Sequence, residues 1–421
     1  MGMNIIEKIM AKHAGKDSVV PGEIVECAVD AVMLHDVGTP GIQRPFNALG
    51  TDKIADGVDC IIIPDHFVPA NTVAAAENLK ITREFAERMS IENYYEIGRG
   101  GICHQVMMEK GHVKPGQIIV APDSHATTYG AAGAFGTGLG VTDVAIALGT
   151  GKLWFVVPET VRVNLTGKLP EWVSAKDISI YLLGKFKDGE LLYRSLELGG
   201  NIIHEMSMDS RECLADMALE MGVKACLVEC DEITDAYLKK ALKGEPYELV
   251  TPDQDASYEA VYDVDVSDMV PMISMPHTPS NAATVKEAEG KKVNQAFLGS
   301  CTNGRMEDLK IAADMLRGKT ISPKVRLIVT PASNEIYNKA MEKGYLKIFM
   351  DAGATITNAT CGACVGGHLG LIAAGEVCIS SSNRNFRGRM GSKDGEIYLA
   401  SPAAVIASAI TGEITDPRGV S

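Results

Sequence analysis

Short Val/Ile-rich runs alternate with longer stretches of helical periodicity almost from end to end, and this rhythm constrains the fold more than any other feature. DCIIIP (59–64), GQIIVAP (116–122), ACLVEC (225–230), VRLIVTP (325–331) and ATITNAT (354–360) read as strands. The stretches between them, such as 72–89 and 306–316, place apolar residues three and four apart, as amphipathic helices do. Strand and helix in regular alternation predict α/β layers built on mostly parallel sheets.

Two regions look alike. VDAVMLHDVGTP leads through IIIPDHFVPANT to YYEIGRGGICHQ, and VNQAFLGSCTNG leads through LIVTPASNE to ATITNATCGAC. Each pairs an apolar strand ending in a polar loop with a second ending at a Pro-containing turn and a third ending in Gly plus Cys or His. The reading is a divergent repeat. It would let Asp36, His66 and His104 of one copy face Cys301, Cys361 and Cys364 of the other, because ligands gather at the carboxyl ends of strands in such sheets. The middle, roughly 161–276, lacks the pattern and reads as a separate domain, its acidic stretch 251–268 being a loop plus a connecting strand.

With 46% hydrophobic and 22% charged residues among 421, the balance is that of a chain with a sizeable core. No apolar run reaches the roughly 18 residues of a membrane span. The N-terminus reads as a short lysine-bearing amphipathic helix, not a leader peptide, so a cytoplasmic location is expected. A net charge of −14 without a basic cluster argues against nucleic acid as a partner, yet permits an anionic substrate held by a few local arginines.

Ten cysteines in such a chain read as core thiols and metal ligands, not disulfides. Cys27, Cys60, Cys213, Cys226 and Cys230 sit among apolar neighbours, and Cys378 lies in the strand EVCISSS; all read as core. Cys301 lies in the Gly-flanked loop GSCTNG, whereas Cys361 and Cys364 form a CGAC pair. Thiolates so spaced can share one metal centre with a third from elsewhere. A redox pair or a closed zinc site, with Cys378 or His368 as fourth ligand, stays open at this point. SNRNFRGRMG (382–391) carries Arg384 and Arg389 in a polar loop, and a guanidinium fork fits a carboxylate. Asp65-His66, His104 and Asp123-Ser124-His125 are acid–base candidates, since a carboxylate beside an imidazole fixes its tautomer and raises its basicity. GAFGTGLGVTD (133–143) fails the dinucleotide spacing, with Val141 where the third glycine belongs.

GSCTNG, CGAC and NRNFRGR together, in that order along nearly the whole chain, resemble the aconitase superfamily, within it the large subunits of isopropylmalate dehydratase and homoaconitase. The resemblance implies three α/β/α domains, 1–160, 161–285 and 286–421. It implies a [4Fe–4S] cluster on Cys301, Cys361 and Cys364, with one iron open to substrate. His66, with Asp65 beside it, resembles the acid that protonates the departing hydroxyl. His104 and His125 resemble histidines around the iron-bound water, oriented by Asp123, and Glu220 resembles the glutamate that pairs with the His104 counterpart. Arg384 and Arg389 resemble carboxylate-binding arginines, Asn383 an asparagine near the cluster, and Ser124 a substrate-contacting serine. Three positions depart: Asp216 replaces an asparagine, Ala363 a proline, and Thr39-Pro40 the glutamine that binds citrate, which argues against citrate.

The implied activity is a hydro-lyase that isomerises a 2-hydroxy di- or tricarboxylic acid by dehydration and rehydration. Isopropylmalate or a citramalate-type acid comes first, then homoaconitate and dimethylmalate. A small subunit carrying the swivelling fourth domain is the expected partner, in a heterodimer or heterotetramer. A zinc-stabilised scaffold and an RNA-binding protein are the readings from other classes.

Overall fold

The computed structural model describes residues 2–187 and 189–420; Met1, Asp188 and Ser421, and with them the outermost ends read for the first and third segments, lie outside the described residues. The apolar runs become strands on three sheets. The N-terminal sheet takes Ala31–Leu34, Asp59–Ile62, Asn93–Tyr94, Ile118–Ala121 and Phe135–Gly138, all parallel. In space they run third, second, first, fourth, fifth. The C-terminal sheet takes Gln295–Leu298, Arg326–Val329, Thr355–Ile356, Val377–Ser380 and Glu396–Ala400, again parallel and in the same spatial order. Two short antiparallel strands, Met272–Ser274 and Ala282–Thr284, extend it beyond Glu396–Ala400. These two fall inside the 161–285 segment yet pair with the sheet that follows it.

The central sheet is Thr160–Thr166, Ser195–Gly199, Ala225–Val228 and Ala260–Asp265, parallel throughout. Its last strand is the one expected in the acidic stretch. A two-stranded antiparallel ribbon, Ile24–Ala28 with Lys152–Val156, completes the strands described here.

Burial explains the composition of each. Ala31–Leu34, Ile118–Ala121, Ala225–Val228, Gln295–Leu298 and Val377–Ser380 are buried along their whole length, as parallel strands covered by helices on both faces require. The ribbon strand Ile24–Ala28 alternates exposed and buried residues instead, having one wet face. Helix Val73–Arg88 starts where Thr72 accepts the Ala75 N–H and buries Ala75, Leu79, Thr82, Phe85 and Ala86, the three-and-four spacing read from the sequence. Helix Met306–Leu316 starts where the Asp308 carboxylate collects the N–H groups of Gly304 and Arg305, at 2.7 and 3.0 Å.

One core runs from the N-terminal sheet (Met33, Ile61, Ile119) through Tyr129 to the central sheet (Val163, Leu196, Leu198). The C-terminal sheet has its own, around Leu298, Leu327, Val329 and Ile379. The two outer sheets meet at their carboxyl edges. Gly101 bridges Ser333, Ile102 N–H donates to Ala332 O (2.8 Å), and Cys361 N–H donates to Asp65 O (2.9 Å). Gly101 is required there: a Cβ on it would lie 2.5 Å from Ser333 Cα. No helix among the described residues is long and apolar enough to cross a membrane.

Candidate functional site

In a sheet ordered third, second, first, fourth, fifth, the crevice opens between the carboxyl ends of the first and fourth strands. In the N-terminal sheet those ends lead to Asp36 and to Asp123–His125; in the C-terminal sheet they lead to Cys301 and to Asn383–Arg384. The edges face each other, and the candidates come together between them.

On the N-terminal side the buried Asp36 carboxylate accepts the backbone N–H groups of Asp65 (3.0 Å), His66 (2.9 Å) and Phe67 (2.8 Å), which sets the loop after the second strand. Asp65 then accepts from His66 Nδ1 at 2.6 Å and from the Cys103 N–H at 2.8 Å. Asp123 is the hub. Its carboxylate lies 2.9 Å from His104 Nε2, 3.5 Å from His66 Nε2 and 3.7 Å from His125 Nδ1, and it accepts the His125 N–H at 2.8 Å. Tyr129 Oη holds the other nitrogen of His104 at 3.0 Å. Burial opposes the charge on His66, but Asp65, Asp123 and Asp36 outweigh it and raise its pKa to about 10. Burial likewise opposes His125, and Asp216, Asp123 and Glu220 raise it to about 10. Burial alone would raise Asp123, yet His104 and His125 hold it well below the carboxylate range. Two imidazolium rings therefore stand charged at neutral pH around a carboxylate that stays ionised.

His35 stacks on His66, with ring centroids 4.3 Å apart, and burial and the neighbouring charge lower its pKa. The ligand atoms of His35, Asp36, Asp65 and His66 lie within 4.8 Å of one another, the spacing of a metal site. Asp36 and Asp65 spend their oxygens on backbone N–H groups and on His66, so this is a hydrogen-bonded acid–base cluster.

On the C-terminal side Cys301, buried after Leu298, and Cys364, buried in the turn Gly362–Val365, both reach Asn383 Oδ1, at 3.5 and 3.7 Å. Cys361 Sγ lies 3.6 Å from Asp65 Oδ2, so the third thiol touches the acid–base side. Gly362 takes φ +59°, a left-handed conformation that glycine adopts freely, and this turns the pair inward. Burial pushes the Cys301 and Cys361 thiols well above their usual range, and neighbouring carboxylates and sulfurs push further. Three converging soft donors are a set that an iron–sulfur centre satisfies, and its cationic irons would stabilise as thiolates the two thiols, Cys301 and Cys361, that resist ionisation. The alternative zinc ligands are elsewhere: Cys378 is packed in its strand, and His368 Nε2 bonds Pro69 O at 2.8 Å.

Glu220 lies on a different partner from the one expected. Its carboxylate takes His125 Nε2 at 3.0 Å and Arg384 Nε at 2.7 Å, whereas His104 pairs with Asp123. His104 sits near the start of helix Cys103–Glu109, not at a strand end, because the third strand is only Asn93–Tyr94. Arg384 also donates to Ser124 Oγ at 3.1 Å, which brings these two together. Burial works against the charge on Arg389, and the nearby Cys364 and Cys361 sulfurs raise its pKa. Asp216 Oδ2 accepts from Thr128 at 2.9 Å and Oδ1 accepts from Asn383 Nδ2. Thr39 is fully buried, its Oγ1 donating to His35 O at 2.8 Å.

Sequence reasoning missed Arg305 and Lys176. Arg305 is fully buried and donates to Cys301 O and Thr302 O, both at 2.7 Å, while Glu212 and Gln105 take its Nε at 2.8 and 2.7 Å. It directly follows GSCTNG, the signal that could have found it. A cavity of about 520 Å³ lined by Lys8, Lys12, His13, Lys114 and Tyr247 contains none of the site residues.

The model of the aconitase family (aconitate hydratase) matches residues 7–292 and 286–412. The chain belongs to the aconitase family. Among its relatives in that family, 3-isopropylmalate dehydratase large subunit 1 of Methanopyrus kandleri is 48% identical over 420 residues, 99% of each chain. The probable 3-isopropylmalate dehydratase large subunit of Methanothermobacter thermautotrophicus is 47% identical over 417 residues, again 99% of each. Thermococcus kodakaraensis aconitase X, in its holo-form, shares the fold at 16% identity, with a TM-score of 0.53 over 90% of this chain and 89% of that one.

Proposed function

We propose that this chain is the cluster-binding large subunit of a hydro-lyase that interconverts 2- and 3-isopropylmalate in leucine biosynthesis. The observation that carries the reading is the meeting of Cys301, Cys361 and Cys364 with the Asp65–His66 and Asp123–His125 groups across one crevice. The names of the full-length relatives at 44–48% identity support the substrate. The buried Thr39, bonded to its own backbone neighbourhood, offers no amide to a citrate-like acid.

A [4Fe–4S] cluster on the three cysteines, with one iron left open, would supply Lewis acidity toward the substrate hydroxyl. The chain's own groups do the rest. His66, charged at neutral pH and oriented through Nδ1 by Asp65, delivers its Nε2 proton to the departing hydroxyl, which leaves as water. Asp123 holds His104 and His125 in place around that water. Arg384, kept in position by Glu220, and Arg389 take the substrate carboxylates and stabilise the negative charge that grows as the C–H proton departs. Ser124 lies beside Arg384 and orients the same carboxylate. The base for that proton comes from a small subunit that covers the crevice, and this chain alone is inactive.

The test is a product assay under anaerobic conditions, with iron and sulfide supplied, on the chain alone and with its small subunit. 2-Isopropylmalate, citramalate, homocitrate and 2,3-dimethylmalate are offered in parallel. Conversion of 2-isopropylmalate by the pair only, with a broad absorbance at roughly 400 nm that Cys361→Ser removes, is the expected result. Substantial turnover by the chain alone sinks the two-subunit reading, preference for another acid moves the substrate, and a colourless protein with stoichiometric zinc puts a scaffold in its place.

A further inference from the structure

Two cations lie completely buried beneath the loop that carries Cys301, and only one of them is neutralised. Arg305 has Glu212 at 2.8 Å. Lys176, near the start of helix Ala175–Lys185 of the central unit, is 0% exposed and has no ion pair among the described residues. Its ammonium donates to Ser382 O (2.7 Å), Ser381 O (2.9 Å) and Thr302 Oγ1 (3.1 Å), and it lies 3.3 Å from Met217 Sδ. An unpaired charge in such a place costs several kcal/mol, so something nearby has to stabilise it.

The contacts show where that compensation lies. Thr302 follows Cys301, and Ser381 and Ser382 precede Asn383, the residue whose amide both Cys301 and Cys364 reach. The ammonium thus ties together, from behind, the two loops that carry or contact the thiols. Burial works against the charge on Lys176 and lowers its pKa, and the neighbouring Cys213, Asp216, Cys364 and Cys301 oppose that lowering. Asp216, also fully buried, is on the opposite side of the balance: it bonds Asn383 and adds negative charge beside Cys301.

We infer that Lys176 is a positioning residue for the cysteine centre and its fixed counter-charge, holding the Cys301 and Asn383 loops together and raising the centre's reduction potential. A fixed positive charge stabilises the form that carries the extra electron, and Asp216 opposes it. The inference rests on the iron–sulfur reading above. It adds a residue from the central unit, far from the motifs, whose effect is electrostatic and does not require contact with substrate.

The experiment is a redox titration followed by paramagnetic resonance, with iron and sulfide analysis, on the full-length chain reconstituted anaerobically. Lys176→Gln keeps a donor for the carbonyls but removes the charge, and Lys176→Met removes both. At the wild-type midpoint, both variants are expected to show a reduced-to-oxidised ratio at least tenfold lower, a shift of about 59 mV for one electron. Asp216→Asn is expected to shift the ratio in the opposite direction. A Lys176 variant with wild-type iron and sulfide content and an unchanged midpoint overturns the inference while leaving the cluster reading intact. If neither Lys176 variant folds, Asp216→Asn decides, and a midpoint that fails to rise overturns the inference. Wild type that holds zinc and takes up no iron defeats the cluster reading and this inference with it.

Discussion

The N-terminal and C-terminal sheets have the same strand order, the same fully buried first and fourth strands, and the same crevice at their carboxyl edges, yet their loops carry opposite chemistries. The first presents carboxylates and imidazoles: Asp36, Asp65, His66, Asp123 and His125. The second presents thiols, an amide and guanidinium groups: Cys301, Cys361, Cys364, Asn383, Arg384 and Arg389. One scaffold sets where a reacting molecule can sit, and loop residues decide what is done to it. The division also separates proton handling from metal binding, so the two sides should fail in different ways when damaged.

The largest expected effect tests that separation. Asp123→Asn leaves the thiols untouched but removes the charge around which three histidines are arranged. Its kcat should fall by about 10³-fold or more with iron and sulfide content unchanged, a loss of roughly 4 kcal/mol of barrier lowering. Cys364→Ser should lose activity and iron together. Assays of turnover and metal content on the same preparations check both; iron loss in Asp123→Asn would break the comparison, because the two edges would then be one unit.

A second effect starts from the C-terminal side, at the residue that follows the Cys301 loop. Arg305→Met leaves Glu212 buried without its partner and the carbonyls of Cys301 and Thr302 without donors. Breaking a buried pair in this way costs about 3–5 kcal/mol, to be read from denaturant midpoints. Glu212, which burial already raises to about 7, would then take up a proton at neutral pH. Double replacement of Arg305 and Glu212 by apolar residues should recover part of the loss.

The sequence made some of this site legible and hid the rest for physical reasons. Cys361 and Cys364 lie on one turn, and Arg384 and Arg389 in one loop, so short-range spacing exposed them. The Glu220–His125 bond joins residues 95 positions apart on different units, and nothing local distinguishes His125 from His104 as its partner. Lys176 looked like any lysine at the start of a helix, because its burial depends on how the central unit packs on both loops. The antiparallel strands Met272–Ser274 and Ala282–Thr284 are three residues each, too short for a period to show. The fully buried parallel strands, such as Ile118–Ala121 and Ala225–Val228, were legible because burial on both faces requires uninterrupted apolar runs.

The N-terminal side has a pH signature of its own. Against the opposing effect of burial, Asp65, Asp123 and Asp36 raise His66 from 6.5 to about 10 in the folded chain. Its contribution to stability is therefore complete below pH 6.5 and lost as pH rises through 10, because the unfolded chain releases that proton first. Unfolding free energy measured by denaturant should decline across this window by on the order of 1–3 kcal/mol more in wild type than in His66→Asn. Turnover should fall about tenfold per pH unit above 10, where the acid form is exhausted. A flat profile from 6.5 to 10 would mean that the imidazolium is not what the carboxylates hold.

The smallest expected effect concerns Ala363, between Gly362 and Cys364 in the cysteine turn. Ala363 lies in the 3₁₀ turn Gly362–Val365, is 0% exposed and packs with Phe297, Cys378 and Leu399. A 3₁₀ turn asks for φ near the value that a pyrrolidine ring imposes, and Gly362 before it has no Cβ to clash with the ring. Ala363→Pro therefore restricts the unfolded chain without straining the folded one, and should change stability by less than about 1 kcal/mol, toward stabilisation. The ring's extra carbons, packed against Phe297, set the upper limit on that gain. Cluster content and the histidine-side pH profile should both stay as in wild type, since the turn keeps its direction. A loss of iron in this variant would show that the thiol edge depends on backbone play at the turn, a dependence that the rigidly bonded Asp36 loop on the opposite edge does not share.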